Sequence, residues 1–154
     1  MIEILPDDEI EQVLAEHFVG RIGCHADGRT YVVPIAYAYA DGSIYGHSTE
    51  GLKLRMMREN PNVCFQVDAV EDVFNWRSVV AWGTYEELHG EAAERAMRTL
   101  LLRFLPTKTQ ATTRSFAGSG PGVLDKRATV YRIRLIERTG RCERSSAHLV
   151  RVYE

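Results

Sequence analysis

The chain reads as mainly β with some helix: an antiparallel six-stranded sheet that curls into a barrel, with flanking helices. Three observations point there. Two Asp-Gly pairs, Asp27-Gly28 and Asp41-Gly42, sit between β-rich runs, and Asp-Gly supplies the positive φ angles that tight hairpins need. The β-rich runs follow one another through turns instead of alternating one-for-one with helices, which argues against a parallel sheet. At 154 residues the chain fits one domain, 1–154, able to bury a core without metal or disulfide staples.

The elements follow in order. "PDDEIEQVLAEHF" places Asp8 three residues before Glu11, a capping-box pattern, with Ile10, Val13, Leu14 and Phe18 at helical spacing. "VGRIGCHADGRTYVVPIAYAYADGSIYGHS" reads as a three-strand meander. Its middle strand alternates bulky Tyr31, Val33, Ile35, Tyr37 and Tyr39 with small Val32, Pro34, Ala36, Ala38 and Ala40. Pro34 cannot donate to a ladder, so it marks an edge, a bulge or a deliberate break. "GLKLRMMREN" is a brief helix stopped by Asn60-Pro61. "NVCFQVD" and "RSVVAWGTYEEL" are two further strands. "GEAAERAMRTLLLRFL" is the strongest helix, with Ala93, Met97, Leu100 and Phe104 on one face. A Thr/Ser/Gly/Pro loop over residues 106–122 then leads to a last strand, "ATVYRIRLIE".

Charge and cysteine usage narrow the classes of function. Nineteen basic against 21 acidic residues leave no basic stripe for nucleic acid. No window has the apolar length of a transmembrane helix, and the acidic opening does not resemble a signal peptide. Cys24, Cys64 and Cys142 are odd in number and widely spaced, as reduced thiols would be. The expectation is a soluble cytoplasmic protein with no membrane or nucleic-acid partner. No histidine or cysteine cluster has metal-ligand spacing, so no metal is expected. "AGSGPG" at 117–122 lacks the Gly-Lys-Ser/Thr ending of a phosphate loop, and no GxSxG elbow marks a hydrolase.

One stretch has its parts in a chemically useful order. In "YGHSTEGLKLRMMRENP", a strand ends, His47, Ser48 and Thr49 follow, and a helix begins near Gly51 with Lys53 in its first turn. A helix start offers unpaired N–H groups and the positive end of a dipole. Hydroxyls add donors, glycine allows close approach and lysine adds a cation. This is a cradle for one phosphate group, or alternatively a plain helix start with a solvated lysine.

The arrangement Y-x-H-S-x-x-G-x-K-x₇-P, with "VVPIAYAYADGSIYGHS" before it and "VCFQVD" and "RSVVAWGTYEEL" after it, resembles the pyridoxamine 5′-phosphate oxidase-like flavoproteins, most closely the branch of the 5-nitroimidazole-resistance proteins. The resemblance implies a split β-barrel, a homodimer and FMN held at the subunit interface. It implies that Lys53 binds the phosphate, eight residues before Pro61, and that His47 and Ser48 stand near the ring and ribityl chain. Thr49 and Gly51 complete the phosphate end. Val33, Pro34 and Ile35 match the strand whose backbone faces the isoalloxazine, and Ser78 and Val79 match a position touching the flavin from the long strand. The oxidases proper carry Ser and Arg where this chain has Gly51 and Leu52, and C-terminal Trp and Arg-x-His residues that this chain lacks. Vitamin B6 oxidation is therefore disfavoured. The implied activity is an FMN-dependent oxidoreductase on a small molecule, such as a nitroaromatic reductase, with His47 as the catalytic candidate. The alternatives are a flavin- or haem-binding module without turnover, a pyridoxamine-phosphate oxidase, or a ligand-free barrel.

Overall fold

In the computed structural model, residues 1–105 and 127–145 are described; the expected loop over 106–122 and the tail from 146 lie outside them. The elements are β1 (Ile2–Ile4), α1 (Asp7–Glu16), β2 (Val19–Ala26), β3 (Arg29–Ala36), β4 (Ala38–Ala40), β5 (Ser43–Ser48), α2 (Leu52–Glu59), β6 (Asn62–Asp72), β7 (Asn75–Leu88), α3 (Gly90–Phe104) and β8 (Thr129–Arg144). No helix among the described residues is long and apolar enough to cross a membrane.

The strands form one antiparallel sheet in the order β3-β2-β6-β7-β8-β5-β4, with β1 added to β8. There are eight strands, not six, for two reasons. The three-residue β1 pairs with Arg141 to Glu143 at the far end of the chain, a partnership no local pattern announces. The middle strand of the expected meander also breaks at Tyr37, so β3 pairs only with β2, and β4 pairs with β5. Those two halves are the terminal strands of the sheet. The sheet does not close by hydrogen bonds; one residue, Tyr37, joins its two ends covalently. The Asp-Gly turns are as expected, with Asp27 and Gly28 at φ 52° and 72° and Asp41 and Gly42 at 50° and 71°, the paired positive values of a two-residue hairpin turn. Pro34 lies on β3, an edge strand, where its missing N–H costs no ladder bond on the open side.

The interior is filled from all sides. Tyr37, Phe65, Ile22, Ile44, Tyr131 and Ile133 are fully buried, and the Tyr37 ring meets Phe65 edge-on at 4.8 Å. α2 inserts Leu54, Met56 and Met57 into this core, and α1 inserts Ile10, Val13 and Leu14. Two helix details differ from expectation. α1 begins at Asp7 after Pro6, without a side-chain cap; its first-turn acids Asp7, Asp8 and Glu9 meet the helix dipole instead of forming a capping box. In α3 the fully buried residues are Ala96 and Leu100, whereas Met97 and Phe104 are only half-buried. The helix is rotated so that Ala96 and Leu100 are its buried residues. Phe18 lies past the end of α1 and is exposed, with the Arg103 guanidinium 5.7 Å from its ring centre.

Candidate functional site

The site begins where β5 ends. His47 and Ser48 pair with Val130 and Thr129 of β8, which fixes the strand's last two residues against the longest ladder of the sheet. Just before them, a Cβ on Gly46 would fall 2.6 Å from the Tyr131 ring, so glycine here lets that buried ring fold across β5. Thr49, Glu50 and Gly51 then cross to α2. Gly51 is extended, its C=O accepts from Arg55 N–H, and no side chain caps the helix. The helix starts at Leu52, so its first N–H groups lack intrahelical partners.

Lys53 is half-buried and its Nζ donates to Ser48 Oγ at 2.6 Å; Ser48 Oγ in turn donates to the Thr49 carbonyl at 2.9 Å. Burial lowers the Lys53 pKa. Among the described residues no carboxylate pairs with this ammonium, and its one hydrogen-bond partner is a neutral hydroxyl. His47 stands beside it. Partial desolvation, and secondly the Lys53 charge, hold the imidazole pKa below the ordinary 6.5. The sign is set by the unfolded chain, which binds the proton more readily. Stability from His47 is fully present above pH 6.5 and is lost as pH falls through its lower folded value. A ring-proton NMR titration is expected to place His47 below 6.5 and to move it upward in Lys53→Met; a value at or above the ordinary one would contradict this placement.

Of the other expected residues, Pro34 lies on the outward face of the edge strand β3 and Ser78 on that of β7. Register sets Pro34, Arg21, Gln66 and Val80 in one row across β3, β2, β6 and β7. Pro34 is exposed there and Val33 is half-buried, while Ile35 and Val79 point into the core and offer a ligand only their backbone. Ser78 Oγ accepts from Gln66 Nε2 at 3.2 Å, and the same amide donates to Asp68 at 3.1 Å, which also takes Arg21 at 3.2 Å. The predicted residues thus form two groups: His47, Ser48 and Lys53 with the Thr49–Gly51 turn, and the β3 edge with Ser78.

Three features lay beyond the sequence reading. Arg58 holds Glu50, Glu87 and Thr129 at once, and Arg21 meets Asp68 across 47 residues. Gly23, Val32, Cys64, Trp82 and Ile136 line a concavity of about 630 Å³ on the outward face. For that concavity a signal existed. "SVVAW" in β7 is apolar at both parities, as a strand covered on both faces would be. The two arginine networks left no such mark.

An antiparallel sheet whose two ends are joined by one residue, with helices packed against it, has the architecture of a split barrel. The chain belongs to the pyridoxamine 5′-phosphate oxidase family, whose profile matches residues 6–142. A FAD-binding protein of Mesorhizobium loti is 32% identical, with 94% of this chain and 99% of that one covered and a TM-score of 0.73. A candidate 5-nitroimidazole antibiotic resistance protein of Bacteroides thetaiotaomicron shares the fold at 19% identity, with 92% and 87% covered and a TM-score of 0.70. An uncharacterised protein of Rhizobium meliloti is 34% identical over 87 residues, which are 56% of this chain and 58% of that relative's length. The family and the split barrel are those expected from the sequence.

Proposed function

We propose that this chain binds a flavin, FMN by preference, as a homodimer in the cytoplasm and acts as an oxidoreductase on a small electron-accepting molecule of the nitroaromatic kind. The observation that carries the reading is Lys53: a half-buried ammonium with no carboxylate partner among the described residues, set at the open start of α2 beside the Ser48 hydroxyl and the His47 imidazole. A phosphate dianion would satisfy these groups, whereas without one the half-buried ammonium has only a neutral hydroxyl in exchange for its lost hydration. The 32% identical FAD-binding relative supports the flavin; one lysine and one helix start suit a single terminal phosphate.

The remaining parts fit the rest of such a cofactor. The edge strand β3 has backbone N–H and C=O groups that no strand pairs on its outer side, and Pro34 removes one donor there. These groups suit the polar rim of an isoalloxazine. Val32, Val70, Trp82 and Ile136, all exposed, make the outward face unusually apolar for a solvated antiparallel sheet. An exposed apolar face of this kind suits cover by a second copy of the chain. A bound flavin would supply the electron-transfer chemistry of an oxidoreductase, which the protein's own side chains lack. Lys53 and Ser48 hold the phosphate, β3 orients the ring, and His47, neutral at pH 7, presents an imidazole N–H or lone pair to the bound molecule.

Purified protein is expected to be yellow, to elute at twice the monomer mass, and to bleach anaerobically with NADH or NADPH and recover its colour with a nitroaromatic acceptor. Protein that is colourless and takes up neither FMN nor FAD on titration overturns the flavin reading. Bound flavin that neither nicotinamide reduces leaves a carrier or sensor in its place.

A further inference from the structure

The phosphate cradle has an acid in its midst. Glu50 lies between Thr49 and Gly51, in the turn whose backbone and hydroxyl groups would meet the phosphate. A free carboxylate there would repel a dianion a few ångströms away and would compete with it for Lys53. Arg58 takes Glu50 in a fork, with Nη1 donating to Oε2 at 2.9 Å and Nη2 to Oε1 at 2.6 Å. The side chain comes from the last turn of α2 and runs back along the helix to the turn before its first residue, the direction in which helical side chains lean. Its Nε donates to Glu87 near the end of β7, and Nη2 also reaches Thr129 Oγ1 at 3.5 Å at the start of β8. The guanidinium is therefore fixed from three sides. An isolated surface ion pair contributes little, but a bidentate pair inside a network holds its geometry. Both Glu50 and Glu87 are kept ionised by it.

We propose that Arg58 is a positioning residue for the anion cradle: it holds the Glu50 carboxylate turned away from Lys53 and masks its charge, so that the turn of residues 49–51 accepts a phosphate. This rests on the flavin reading above. Arg58 itself need not touch the ligand.

The double variant separates this role from a merely structural one. Arg58→Gln leaves Glu50 unpaired, and its FMN dissociation constant, measured by quenching of flavin fluorescence, is expected to rise about tenfold, as the loss of one charge-assisted contact implies. Glu50→Gln in the Arg58→Gln background removes the repelling charge as well and is expected to recover most of that loss. Riboflavin, which has no phosphate, is expected to bind all variants alike. A double variant that binds FMN no better than Arg58→Gln overturns the masking role, as does an Arg58→Gln protein with wild-type affinity. Wild-type protein that binds no flavin overturns the function proposed above and this inference with it, and is told apart from the first two results by needing no variant.

Discussion

Lys53→Met weakens FMN binding by about 10- to 100-fold while riboflavin binding stays unchanged. The size follows from what is removed: a hydrogen bond to a charged group contributes ~1.5–3 kcal/mol, and each 1.4 kcal/mol is a factor of ten. Lys53 is only half-buried, which argues against the upper end. Methionine keeps an apolar stem one helical turn from Met56 and Met57, so the buried side of α2 (Leu54, Met56 and Met57) remains packed and the melting temperature is expected to hold. Riboflavin lacks the phosphate and reports the ring site alone. Arg55→Ala serves as the control cation: it is exposed on the same helix, two residues on, and is expected to change the FMN constant by less than about twofold, the size of a screened surface charge. Equal losses for FMN and riboflavin would move Lys53 from the phosphate to the ring, and no loss for either would remove it from the site.

What could be read from sequence was what local chemistry decides. Asp27-Gly28 and Asp41-Gly42 need their backbone angles whatever surrounds them, so both hairpins were legible. Pro34 signalled an edge, a bulge or a break, because its missing N–H is a property of one residue, and the structure places it on an edge strand. His47, Ser48 and Lys53 were legible as a group because six residues of chain hold them together. What escaped was decided by partners far along the chain. β1 is three residues long and exists because Glu143 and its neighbours offer an edge. The break at Tyr37 interrupts an alternation that continues unbroken in the letters; it occurs where the sheet must turn from one end to the other. The orientation of α3, which buries Ala96 and Leu100 and leaves Met97 and Phe104 half-buried, does not follow from the size of its apolar residues. The Arg58 network carries no sequence signal, since Glu50, Glu87 and Thr129 share no period with it.

Tyr37→Ala is expected to be the most destabilising single change at the junction of the sheet's ends, by about 3–5 kcal/mol, the range for truncating a large buried aromatic. Its ring is fully buried and edge-on to Phe65. Its backbone N–H donates to the Phe18 carbonyl at 2.9 Å and its hydroxyl to the Leu14 carbonyl at 2.7 Å. The second bond matters because Leu14 is in the last turn of α1, where carbonyls have no intrahelical donors and no basic residue stands in that turn. Side chains from elsewhere close this end instead: a His17 ring nitrogen lies 2.9 Å from the Val13 carbonyl, and Arg103 of α3 donates to that of Glu16 at 2.6 Å. Tyr37 thus ties α1 to the one residue linking β3 to β4. Tyr37→Phe keeps the ring and isolates the hydroxyl; its cost is expected to be about 1–3 kcal/mol, that of leaving a buried acceptor unmet. Equilibrium urea unfolding measures both. Since the phenylalanine variant keeps the β3 edge in place, its FMN affinity is expected to match wild type. A loss of affinity without a loss of stability would instead place the Tyr37 hydroxyl in the binding site, away from the Leu14 carbonyl.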